Sequence, residues 1–429
     1  MKFIVILLFV SIFLVDYLFK ELGVVSRHVA LLPDLLSVLA MCLIVIRFLV
    51  TKQLEVHLKY WLFFAILGLH LFLGIILNTV STGAVFSGLR TYFRYLPFFL
   101  VPAVYEFSND DLKMQLKFLL MLALLQFPLV IYQRFFQYAG KNSGDDIAGT
   151  LILSSHLSIV LISAMAITFA FYLKKRLSVK TLVVILILLF IPTTLNETKG
   201  SLFLMPLAVI IPAVLIGDVH RRFATVAPVL LMGVLLFGAF VMLYNQSLGQ
   251  TRDRSITEFF AEGGAKEYLY KEATGKGSVI EEIGRVDSMV LAFKKLSVDV
   301  GKLGFGLGIG NVSESFSKVL EGEYSKQYAH MLPQLTSVSF LLWETGLIGV
   351  ILVVAGCYLV FADARYLSKS DSTYGALALG WAAIVGIYVV SLGYKNLVTP
   401  GVIGYSFWYF SGCVAAARLR WQTEENASR

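Results

Sequence analysis

The chain has 429 residues, 58% of them hydrophobic and only 15% charged, with a mean hydropathy of +0.78, and its apolar residues come in long unbroken runs that a water-facing surface could not carry. Composition therefore excludes a soluble globular protein. The formal net charge of +8 sits in short clusters at the ends of those runs, as orientation signals of membrane spans do, which argues against nucleic acid as a partner.

A helix needs about 20 apolar residues to cross about 30 Å of hydrocarbon. Runs of that kind lie at 3–19, 29–49, 60–80, 88–106, 114–134, 149–173, 181–197, 201–217, 225–245, 335–361, 373–394 and 396–417. They predict an all-α polytopic membrane protein with twelve transmembrane helices. The first run lacks a small-residue cleavage site and is followed by Asp16, Tyr17 and Lys20, so it reads as a retained span rather than a signal peptide. The fourth is the least regular, holding Arg90, Arg94, Pro97 and Pro102. Cys42, Cys357 and Cys413 all fall inside runs, without a disulfide framework or a zinc spacing.

With the N-terminus in the cytoplasm, the short loops on that side carry seventeen Lys and Arg and the opposite short loops eight. Positive residues accumulate on the cytoplasmic side, so both termini are expected there. This orientation exports the one long hydrophilic segment, Ser247 to Gln334, which has 88 residues, eleven of them basic and twelve acidic. The chain thus divides into nine spans over 1–246, an extracytoplasmic loop over 247–334, and three spans with a cytoplasmic tail over 335–429. Within the loop, the Gly-rich and charged stretch 262–278 suits disorder. From Glu281 to Leu296, apolar Ile283, Val286, Met289, Val290 and Phe293 predict an amphipathic helix. A loop this long in a compact domain usually carries function.

Three features could carry chemistry. Gly304-Phe305-Gly306-Leu307-Gly308-Ile309-Gly310-Asn311 removes side chains from one face of the backbone, which permits either an exposed row of amides for an anion or a tight turn packed on helices. Its spacing matches neither the P-loop nor the dinucleotide fingerprint. Second, Arg90, Arg94, Lys199, Arg252, Arg254 and Arg285 all fall on the outer side, and guanidinium groups suit phosphate oxygens. Arg90 and Arg94 are four residues apart and share one helix face; Arg134 and Lys395 read instead as cations reaching the headgroup layer. Third, His330 is the only histidine of the long loop, and an imidazole suits a general base near neutral pH, although a lone histidine is more often structural. His156, inside the sixth span, could equally bond a neighbouring helix. No Asp-x-Asp, His-Glu-x-x-His or Cys-x-x-Cys cage offers a metal site. Asp110-Asp111 reads as the capped start of the fifth span, and Asp145-Asp146, beside Asn142, Ser143 and Gly144, as part of a solvated turn.

The order of these features resembles the O-antigen ligase and polymerase superfamily of bacterial envelope glycan assembly. Arg285 opens an amphipathic helix, the Gly304–Asn311 run follows, then His330, then Trp343-Glu344-Thr345-Gly346-Leu347-Ile348-Gly349 entering a span. Members similarly show an arginine, an amphipathic helix, a G-x-G-x-G-N-like turn, a histidine and an E-x-G-L-I-G entry. Each motif is weak singly; their order, over about 65 residues, is more specific. Two departures stand out: Glu197-Thr198-Lys199-Gly200 has lysine where the family's T-x-S-R-G-like turn often has arginine, and His330 lies 14 residues before Glu344, farther than the family's histidine.

The resemblance implies a membrane glycosyltransferase of the C-type architecture that needs no metal or other cofactor. It would work on the outer face of the bacterial inner membrane, with a polyprenyl-diphosphate-linked glycan as donor and a glycan acceptor. Arg285 with Arg90, Arg94, Lys199, Arg252 and Arg254 would hold the diphosphate, His330 would take the acceptor hydroxyl proton, and Gly304, Gly306, Gly308, Gly310, Asn311 and Glu344 would shape the site. Polymerisation of lipid-linked repeat units is the expected activity, with a flippase and a chain-length regulator as further partners. A ligase delivering finished glycan to a lipid A core or a protein is the near alternative, and a transporter or flippase the alternative of another class.

Overall fold

The structure, a computed structural model, describes residues 1–139, 144–216, 235, 238–239, 241–242, 263–272, 282–312, 320–328 and 331–428. All regular elements among them are helical. In chain order they are α1 (Lys2–Lys20), α2 (Leu32–Thr51), α3 (Leu58–Leu77), α4 (Thr82–Phe93), α5 (Leu96–Val104), α6 (Asn109–Leu124), α7 (Gln126–Tyr132), α8 (Ser154–Leu173), α9 (Val179–Leu195) and α10 (Ser201–Leu215). Then follow α11 (Gly264–Leu269), α12 (Arg285–Leu296), α13 (Val300–Phe305), α14 (Glu323–Tyr328), α15 (Ser337–Leu367), α16 (Thr373–Leu392) and α17 (Gly401–Ser428). Among the described residues, seven helical stretches are long and apolar enough to cross a membrane: α1, α2 with the turn before it, α3, α6 continued through α7, α8, α15 and α16. Helices α9 and α10 are apolar but shorter. The expected span 225–245 lies almost wholly outside the described residues.

The expected fourth span, 88–106, is two helices rather than one. Its α4 stops at Phe93 and α5 restarts at Leu96, with Pro97 in the first turn of α5. Proline has no N–H to continue the α4 ladder, yet its fixed φ suits a helix start. At the head of α6, Ser108 and Asp111 cap each other's backbone reciprocally, as the Asp110-Asp111 pair suggested.

Contacts define two ends of the bundle. At the basic end, Lys2 pairs with Asp111 at 2.7 Å, Lys59 and Arg418 meet Asp363, and Arg420 meets Glu55. The opposite end gathers the starts of α2, α8, α10, α15 and α17. Between them α16 is the most buried span, and its Gly375, Ala376, Ala378, Gly380, Ala382 and Ala383 let α8, α10 and α15 approach closely, as small residues do where lipid supplies no hydrophobic drive.

Beyond the opposite end, a smaller cluster of Ala292, Leu296, Leu307, Val312, Leu342 and Trp343 seats the polar segment on the first turns of α15. The amphipathic helix appears as α12, but turned from its expected face. Ser288, Ala292 and Leu296 are buried, whereas Val290 and Phe293 are 38% and 45% exposed. The small residues face inward because α12 lies close against α15, Ser339 Oγ donating to Ser288 O at 3.3 Å. Farther back, α11 forms inside the stretch whose composition suited disorder.

Candidate functional site

The Gly304–Asn311 run is a packing device among the described residues. Gly346 has φ +67 and kinks α15, which takes the carbonyls of Trp343 and Glu344 out of the helical ladder. The run supplies their partners: Leu307 N–H donates to Trp343 O at 2.8 Å and Gly308 N–H to Glu344 O at 3.0 Å. Gly306 and Gly310 have φ +68 and +73, and a Cβ on Gly310 would collide with Ala84 O of α4. Asn311 closes the turn, donating to Leu307 O at 2.9 Å and accepting from Glu323 N–H at 3.0 Å. Those two amides are thus spent on α15, and the tight-turn reading describes the run better than an anion cradle. Glu344 is fully buried beside the kink, next to the Tyr92 hydroxyl.

Two sequence-predicted cations are brought together on one aromatic ring. The Arg285 guanidinium lies 3.5 Å from the centre of the Tyr268 ring, and Lys199 Nζ lies 5.7 Å from the same centre. Arg285 also faces Tyr394 at 5.6 Å. Local sequence explains the meeting. Gly284 donates to Lys271 O at 2.8 Å, and a Cβ there would strike the end of α11, so only glycine lets α12 start against the helix that carries Tyr268. Lys199 sits in a turn pinned by Asn196, whose amide donates to Ser154 O at 3.0 Å and Ser158 Oγ at 2.8 Å. Glu197 in that turn has φ +54, a conformation that costs free energy and recurs at functional sites. It pairs at 3.3 Å with Arg134, so Arg134 is a buried ion-pair partner and not the headgroup-reaching cation expected. Arg285 Nε is buried and has no hydrogen-bond partner among the described residues. The amino end of α12 adds its own partial positive charge to the pair.

Arg90 and Arg94 form a second centre at the same end. Both meet Asp34 of α2: Arg90 through Nη2 at 2.5 Å and Nε at 3.1 Å, Arg94 through Nη1 at 3.7 Å. Arg94 also binds Tyr95 and the Thr399 carbonyl, and Tyr405 donates to Asp34 Oδ1 at 3.1 Å. They line a cavity of about 460 Å³ together with Asp16, Lys20, His156, Thr399 and the apolar Val15, Phe19 and Val402. The 147–153 loop forms part of its wall and is held by two glutamines. Gln126 accepts from Thr150 N–H at 2.8 Å, and Gln133 accepts from Gly149 N–H at 2.8 Å while donating to its carbonyl at 2.9 Å. His156 Nε2 is buried with no partner among the described residues.

The two centres are distinct: neither Arg285 nor Lys199 lines the Asp34 cavity, and the chain from Tyr394 to Thr399 joins them. His330, Arg252 and Arg254 lie outside the described residues, although Tyr328 and Met331 beside residue 330 pack on the Trp343 cluster. Sequence reasoning missed Asp34, Tyr268, Tyr394 and Tyr405 as partners of the cations, and the two glutamines that hold the cavity wall. Gln126 and Gln133, seven residues apart on an apolar run, were the available signal, since two full turns place both on one helix face. The sequence matches no protein-family model, and no curated protein is significantly similar to it.

Proposed function

We propose that the chain is a glycosyltransferase of the bacterial inner membrane that elongates a polyprenyl-diphosphate-linked glycan. In this reading twelve spans and an extracytoplasmic segment over 247–334 place the Tyr268 and Asp34 centres at the outer lip. The observation that carries it is the meeting of Arg285 and Lys199 on Tyr268. These are the loop arginine and turn cation of the superfamily that the motif order resembles, and residues far apart in sequence gain such a meeting only through the fold. A diphosphate leaving group needs charge compensation as the anomeric bond breaks. Two cations and a helix amino end, fixed before the reaction, supply it without reorganisation, worth about 3–4 kcal/mol for one well-placed donor. The donor's first prenyl units would lie along the apolar side of the bundle. His330 takes the proton from the attacking acceptor hydroxyl, so that the C–O bond to the acceptor forms as the bond to the diphosphate breaks and the configuration inverts. Purified protein given a defined lipid-linked oligosaccharide should yield ladders of longer glycan, and H330A should yield none while remaining folded. Ladders of normal length from H330A would remove that residue from the chemistry.

One observation favours a transporter instead: α4/α5 and α15 are both broken near the outer end, as substrate-binding helices of transporters are. Against it, the carbonyls freed at Gly346 are taken by Leu307 and Gly308, so no ring of backbone oxygen is left there for an ion. Movement of labelled lipid-linked sugar across vesicles without new glycosidic bonds would decide for transport.

A further inference from the structure

A second cavity, of about 530 Å³, lies between α6 and the group α8, α16 and α17. Its walls are apolar along their length, with Leu120, Ile167, Ile384 and Phe407 prominent. The wall hydroxyls of α8 are turned back on their own helix, Ser163 donating to Ile159 O at 2.7 Å and Thr168 to Ala164 O at 2.8 Å. Trp381 gives its indole N–H to Ser411 at 3.1 Å. Along α8 the lining runs from Ile159 to Phe171, about 18 Å at 1.5 Å per residue.

Charge is confined to one mouth, at the basic end, where Lys113, Lys117 and Arg176 line the opening. Lys113 is paired with Asp110 at 2.9 Å, and the other nearby carboxylates are engaged elsewhere, Asp111 with Lys2 at 2.7 Å and Asp371 with Lys174 at 3.4 Å. Arg176 donates to the Asp371 carbonyl and to Thr373 Oγ1, neither of which neutralises it. Lys117 has no acidic partner among the described residues. The mouth therefore keeps positive charge above an apolar slot.

We infer that this cleft binds an anionic phospholipid, one acyl chain lying along α8 and its phosphate resting on Lys117 and Arg176, beside the Asp110-paired Lys113. An apolar slot alone would accept any chain; the cationic mouth selects a net negative headgroup. Val402 lines both this cleft and the Asp34 cavity, so a chain in the cleft braces a wall of the outer site. The inference stands on its own residues and does not depend on the glycan reading.

The test compares phosphatidylglycerol and phosphatidylcholine of matched chains, added to the full-length protein in detergent, with retained lipid read by native mass spectrometry and stability by Tm. One phosphatidylglycerol should be retained and should raise Tm more than phosphatidylcholine does. K117Q, a change at an exposed side chain, should weaken phosphatidylglycerol roughly fivefold, and K117Q/R176Q about thirtyfold, since each basic residue near an anionic surface contributes about that factor. A164F, which fills the slot, should abolish retention of both lipids; its Tm in detergent alone shows that it folds. Equal binding of the two lipids by the unaltered protein, unchanged retention in folded A164F, or full displacement by inorganic phosphate would each overturn the inference.

Discussion

Asp363 at the basic end and Asp34 at the opposite end are built from the same parts. Asp363 pairs with Lys59 and Arg418 and accepts from the Tyr60 hydroxyl at 2.7 Å; Asp34 pairs with Arg90 and Arg94 and accepts from the Tyr405 hydroxyl. Each aspartate thus holds two cations and a tyrosine. They differ in what surrounds them. The Asp363 side chain is 2% exposed and sealed by helices, whereas Asp34 is 18% and Arg90 35% exposed, on the wall of the cavity of about 460 Å³. A cluster of charges fastens helices when it is closed and is open to water and solutes when a cavity reaches it. Residue identity alone does not separate the two cases.

Substitutions can break or sharpen that contrast. The largest effect is expected for Asp363→Ala, which leaves Lys59, Arg418 and the Tyr60 hydroxyl without their shared buried carboxylate and should cost about 3–5 kcal/mol, read as a large fall in Tm or loss of monodisperse protein; a Tm within error of the unaltered protein would mean that the cluster does not fasten the helices. On the proposed function, Arg285→Ala should slow glycan transfer by about 100-fold at nearly unchanged Tm, with Arg285→Lys recovering only part because a point charge replaces the fork. Equal loss of Tm and activity would make Arg285 structural, like the basic-end cluster. Gly310→Ala should cost about 2 kcal/mol, because a left-handed φ is strained with a side chain and the Cβ meets Ala84; this reads in Tm and tests whether the glycine run fastens α4 to α15. The smallest effect is expected for Asp34→Asn, about 1 kcal/mol, since water can reach Arg90 in place of the lost carboxylate. On the proposed function its sharper readout is tighter donor binding, from a cavity made more positive, in equilibrium assays with lipid-linked oligosaccharide.

Much of the helical layout was legible because a membrane span must satisfy every backbone polar group within itself, so length and apolarity of a run are nearly sufficient. The break at Arg94–Tyr95 was not read, since 88–106 is expected as one span, although Pro97 and the two arginines made that run the least regular. The α12 face was not read either, because helical spacing puts the large apolar residues inward, while close packing on α15 selected Ser288 and Ala292. In the candidate site the cations were legible one by one as charges at span ends. Their partners were not, since Tyr268 and Asp34 carry no local mark of the residues they meet.

The sequence by itself determined that this is a multi-span helical membrane protein, where its charges concentrate, and that the glycine run has the backbone freedom for either a tight turn or an amide cradle. These are local properties, set by backbone hydrogen bonding, side-chain hydropathy and allowed φ. Only the tertiary structure decided that Lys199 and Arg285 share a ring, that Arg134 is consumed by Glu197, and that the glycine amides serve a kink in α15. Each depends on distance between distant segments, where Coulomb and packing energies change steeply over a few ångströms and one chain gives no direct reading of them.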